Sequence, residues 1–140
     1  MSIPMATPSG QHSRPALPDA LSALLAVMVA VTLVKVSPLR ATLAIVGFLK
    51  RTTRRTARVS DARTAVAARD WAVRYFPGRA ACMERSLAAF LVCRARGRAV
   101  DWCLGCRFDP CEAHAWIETE GEAIGEPVSP DRPLYVTIRV

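Results

Sequence analysis

The chain has 140 residues, 51% of them hydrophobic, with 19 Lys or Arg against 12 Asp or Glu and a formal net charge of +7. That length holds one domain plus an appendage, and the apolar share excludes a chain that stays unfolded for want of core material. Residues 1–80 carry 12 basic and 3 acidic side chains (+9) and residues 81–140 carry 7 and 9 (−2), so a basic, apolar front half precedes a mildly acidic back half.

Residues 1–18, with Ser, Pro, Gly and Gln and little apolar content, read as a disordered leader. From Ala20 to Val34 the chain is uncharged, between Asp19 and Lys35. This run is shorter than the roughly 20 residues a bilayer span requires, and it lacks the basic start and cleavage site of a secretory signal. Ser37-Pro38 reads as N-cap and first residue of a second apolar helix, Leu39 to Leu49, followed by Lys50, Arg51, Arg54, Arg55 and Arg58. Three readings of this front segment stay open: peripheral contact with an anionic membrane through residues 20–58, docking on a partner, or cover for the core. No aromatic residue is interleaved with the basic run, so nucleic acid is not an expected partner.

Ser60-Asp61 offers the next cap, for a helix from Ala62 to Phe76 with Val66, Ala67, Trp71, Ala72 and Tyr75 facing inward. Pro77-Gly78 ends it. The stretch from Ala81 to Gly97 reads as one further helix, with Met83, Leu87, Phe90, Leu91 and Arg94 on one stripe and Gly97 as its stop. Cys82 falls in its first turn. Unpaired amides at a helix N-terminus favour a thiolate, so Cys82 is a candidate nucleophile and Trp71, Tyr75 and Phe76 candidate neighbours.

After Gly97 the period changes to two. Strands are expected over Val100–Arg107, Ala113–Thr119, Glu122–Ile124 and Leu134–Val140, with turns at Phe108-Asp109-Pro110 and Glu120-Gly121 and a loop over 125–133. Helices first and antiparallel strands after is an α+β layout. His114, on the second strand, is the one histidine with a plausible setting as a base for Cys82. The order Cys-helix, strand, His-strand is that of papain-like and transglutaminase-like cysteine enzymes.

The rival reading is metallic. Cys103-x-x-Cys106-x4-Cys111-x-x-His114 has the ligand types of a tetrahedral zinc site. Against it, Cys103 and Cys106 three apart on one strand point to opposite faces. Cys93, Cys103, Cys106 and Cys111 then read as small apolar residues in a reducing cytoplasm.

Cys82-Met83-Glu84-Arg85-Ser86-Leu87, Ala113-His114-Ala115-Trp116-Ile117-Glu118, Glu120-Gly121 and Gly125-Glu126 resemble the Cys-x-x-Arg-Ser-Leu and Ala-His-Ala-Trp-Val-Glu signatures of the lasso-peptide biosynthesis B2 proteins. Those are leader peptidases similar in fold to the transglutaminase and papain-like superfamily. The resemblance covers about residues 60–140, dividing the chain into a leader (1–18), an apolar and basic helical segment (19–59) and a cysteine peptidase domain (60–140). It implies a catalytic helix packed on a small antiparallel sheet, no cofactor, Cys82 as nucleophile and His114 as general base. The family's Asp twelve residues beyond the His is here Glu126, with Glu118 and Glu120 as alternatives. Arg85 belongs to the motif and, with Trp71 and Trp116, is a candidate substrate contact; a structural salt bridge stays open for Arg85, packing for Trp71, and for Trp116 shielding of the imidazole or packing of the sheet. The implied reaction frees a precursor's core amine for ring closure by a separate lasso cyclase. No strand-rich leader reader is visible in residues 1–80, so a separate B1-type recognition protein is the expected partner.

Overall fold

The computed structural model describes residues 14–108, 110–127 and 130–140. Most of the expected leader (1–13), Asp109 in the first turn and residues 128–129 in the long loop lie outside them.

Helix α1 spans Leu17–Val36, 20 residues. It starts before the uncharged run because Pro18 in the first turn forfeits no intrahelical bond, and it ends where Ser37 N–H bonds the Leu33 carbonyl at 2.9 Å. By length and composition it could cross a membrane, with a mean hydropathy of 2.1, although the uncharged run alone looked too short. Its two faces differ. Ala20, Ala23, Ala26, Val27, Ala30 and Val31 are buried, small side chains that let α1 lie close to its neighbours. Leu17, Leu21, Leu25, Met28 and Val36 on the other face are 53–73% exposed.

Helix α2 is Leu39–Arg51, with Pro38 as its cap and Ser37 closing α1, one residue later than the expected capping. After a two-residue strand β1 (Arg55–Thr56), α3 runs Val59–Val73. The Asp61 carboxylate accepts the Arg58 N–H at 3.0 Å from within the first turn, so Ser60 is not the cap and the helix starts three residues early. Ala62, Ala65, Val66, Ala68, Arg69 and Ala72 are its buried residues. Ala67 and Tyr75 are exposed and Trp71 half-buried, because the stripe of alanines faces the neighbouring helices.

Helix α4, Cys82–Ala95, occupies the middle, packed against α1, α3 and the sheet. Burial therefore extends around it, from Ser86 through Phe90 and at Val92 and Cys93, rather than along one stripe. Gly97 at φ +71° ends it. A short β2 (Arg98–Ala99) pairs in parallel with β1. Strands β3 (Asp101–Arg107), β4 (Glu112–Thr119), β5 (Glu122–Ile124) and β6 (Tyr135–Arg139) form an antiparallel sheet in the order β5-β4-β3-β6. Trp102, Leu104, Ala115 and Ile117 face the helices, joining one core with the buried side chains of α1, α3 and α4. Buried side chains from before and after residue 60 belong to that one core. Trp102, fully buried, donates its indole N–H to the Ser86 hydroxyl at 2.8 Å and so ties β3 to α4.

Candidate active site

Cys82 opens α4, where Ala81 offers no side-chain cap to the first-turn amides. Beside it β5 is short and pairs only with Ile117–Thr119, so the first half of β4, with His114, borders open space. Cys82, His114 and Glu126 line one cavity of about 360 Å³ together with Arg69, Arg85 and Ser86. Cys82 and His114 also line a second cavity of about 310 Å³ on the side of α2 and β6.

His114 Nε2 lies 2.7 Å from Glu126 Oε2, and the same oxygen accepts from Arg107 at 3.2 Å. Both side chains of that ion pair are well enclosed, at 13% and 16% exposure. Gly125 precedes Glu126 at φ +72°, and a Cβ there would press on Val66 at 2.7 Å, so the turn that aims the carboxylate requires glycine. With Nε2–H donating to Glu126, Nδ1 is the ring nitrogen left to accept a proton. The alternative acids are occupied elsewhere: Glu118 accepts from Trp116 Nε1 at 2.8 Å and from Arg139 at 2.6 Å, and Glu120 accepts the Val59 N–H.

The three candidate substrate contacts fare differently. Arg85 lines the first cavity and pairs with Asp70 at 2.9 Å. Trp71 lines neither cavity at Cys82 and packs against Tyr75, four residues on, with ring centroids 4.9 Å apart and the rings tilted to each other. Trp116 is buried, which removes it from contact with a substrate; its ring lies nearly parallel to that of His114, centroids 6.0 Å apart, and backs the imidazole. Room for that ring comes from Gly105, opposite His114 in the register, where any Cβ would collide with the Tyr135 carbonyl and crowd Trp116.

Arg69 was not anticipated. Its guanidinium is buried, bonds Asp70 and the Arg85 carbonyl, and lines the cavity; burial pulls its pKa below the ordinary value against the opposing effect of Asp70. An arginine on the Ala62, Ala65, Ala72 stripe of α3 was the available signal. Arg107 was missed too, although it shares the His114 face of the sheet.

The zinc constellation does not assemble. Cys103 lies opposite Trp116, Cys106 opposite Ala113 and His114 opposite Gly105; Cys103 is buried and Cys111 exposed. Among the described residues no cluster of three or more His, Cys, Asp or Glu could hold a metal ion. Burial pushes the Cys93 and Cys103 thiols up to about 12, which leaves them protonated and inert at neutral pH.

A family model described as the transglutaminase-like superfamily matches residues 23–139. Neither a curated protein nor a solved structure matches the chain.

Proposed function

Since the chain belongs to the transglutaminase-like superfamily, whose members support chemistry of the cysteine-protease or transglutaminase type, we propose that it is a cysteine peptidase acting on the leader of a ribosomally made lasso-peptide precursor. The observation that carries the peptidase reading is the shared cavity of Cys82, His114 and Glu126 with the 2.7 Å His114–Glu126 contact. The two signature motifs support the leader substrate.

In this reading His114 Nδ1 takes the thiol proton, and the Cys82 sulfur attacks the scissile carbonyl. The imidazolium, steadied by Glu126, then protonates the departing amine, and water releases the acyl group from sulfur with the same base. The Cys82 backbone N–H, in the uncapped first turn of α4, is the donor this reading assigns to the developing oxyanion charge. The amine set free is the one a separate cyclase would join. No step calls for a cofactor.

Delivery of the leader is assigned to a separate B1-type recognition protein. Residues 14–58 hold no strand beyond the two residues of β1, so this described segment has no sheet edge on which to add a leader strand. The exposed Leu17, Leu21, Leu25 and Met28 face is the surface for that partner. The workplace is the cytoplasm, with contact between residues 20–58 and lipid as the competing use of the same face.

The test is an incubation of chain, recognition protein and precursor read by mass spectrometry. The expected result is two fragments, leader and core, lost with Cys82→Ala. An intact precursor would sink the peptidase reading. Full efficiency without the recognition protein would sink the partner, and sedimentation of the chain alone with anionic vesicles would turn that face over to lipid.

A further inference from the structure

The two cavities that meet at Cys82 and His114 differ in chemistry. The first presents Arg69, Arg85 and Glu126. Apart from Cys82 and His114, which the two cavities share, and Thr137, the second is lined by apolar side chains and glycine. Its floor is one cross-strand row, Ala115, Leu104 and Ile138, paired in register across β4, β3 and β6. Its sides are Met83, next to the cysteine on α4, and Leu39 at the start of α2. A chain whose carbonyl sits at the sulfur extends in both directions, so one flank of the scissile bond enters the polar cavity and the other the apolar one.

Resting on the peptidase reading, we infer that the second cavity is a specificity subsite for an aliphatic side chain within three residues of the cut bond, and that Leu39 is its specificity-determining wall. A volume of about 310 Å³ suits one such side chain with a turn of backbone. The Leu39, Met83 and Ile138 side of the cavity discriminates because a charged side chain laid against it loses its water and gains no partner from those three side chains. Leu39 is 42% exposed, so replacing it leaves the core intact. The front helical segment thereby shapes substrate choice directly.

The experiment exposes the full-length protein, at high enzyme concentration, to a library of internally quenched decapeptides, with cut sites read by mass spectrometry. The wild type is expected to prefer Leu, Ile or Val over Asp or Lys by about tenfold or more at one position near the bond. Leu39→Asp should erase that preference and Leu39→Ser weaken it, while preferences at other positions stay unchanged in the uncharged Leu39→Ser variant. Cys82-dependent cleavage with no aliphatic preference, or with the same preference in both variants, would overturn the subsite and leave the peptidase standing. No cleavage of any peptide would overturn both.

Discussion

Glu126 Oε2 sits between two donors, 2.7 Å from His114 Nε2 and 3.2 Å from Arg107. A carboxylate held from both sides can fix the imidazole only if its arm length is right. On the proposed mechanism, Glu126→Gln should lower kcat by roughly 10²–10⁴-fold by removing the charge that would stabilise the imidazolium. Glu126→Asp keeps the charge but shortens the arm, and should cost about tenfold. Steady-state cleavage of the precursor measures both, and equal rates in all three proteins would remove Glu126 from the mechanism.

Thiol reactivity should divide the five cysteines. With their pKa values pushed up to about 12, Cys93 and Cys103 should resist iodoacetamide at pH 8 until the protein is unfolded, while Cys82 reacts in the native state. Exposed Cys111 serves as the accessible comparison. Peptide mapping reads the result; native labelling at Cys93 would contradict the burial of α4.

Ser86→Ala removes the acceptor of the Trp102 indole, in a place water does not reach. The unpaired N–H should cost about 1–3 kcal/mol in urea unfolding. Ser86→Thr, which keeps a hydroxyl, should recover part of it.

Asp101 joins α2 to the sheet, 2.5 Å from Lys50 and 3.0 Å from Arg139. Partial burial pushes its carboxyl up, but the hydrogen bonds from Lys50 and Arg139 outweigh it and hold the pKa below the ordinary 3.8. A depressed folded pKa contributes stability that is full above 3.8 and disappears as pH falls through the lower folded value. Asp101→Asn should therefore cost about 0.5–1 kcal/mol at pH 7, after allowance for solvent screening, with the difference closing only in strong acid. Denaturant melts across pH check the sign: a gap that widens on acidification would refute it.

Gly105→Ala drives a Cβ into the Tyr135 carbonyl and against Trp116. Since neither neighbour is a free side-chain end, the sheet must open. A loss of more than about 2 kcal/mol is expected, with a changed near-UV signal from Trp116. An unaltered spectrum and melt would show that the sheet gives way easily.

Much of this was readable from residue order. The period-2 stretches place β3 to β6 nearly to the residue, and Gly97 marks the end of α4. What sequence spacing cannot supply is the environment of each face. Trp71 and Tyr75 shared a periodic stripe with Ala72, yet the alanines of α3 take the interior because α1 presents alanines to them. Sharing the His114 face left Trp116 to shield the imidazole or to pack the sheet; its ring lies nearly parallel to His114, and the Gly105 gap shows where it is seated. Glu126 came from the resemblance, whose Asp falls twelve residues beyond the His, whereas Arg107 and Arg69 depend on how the chain returns to the site.

The buried alanine face of α1 means that residues 17–36 form one wall of the compartment in which the helix that begins at Cys82 is lodged. A chain trimmed to residue 60 would leave that helix unroofed and exchange a seated Cys82 sulfur for one on a wavering support.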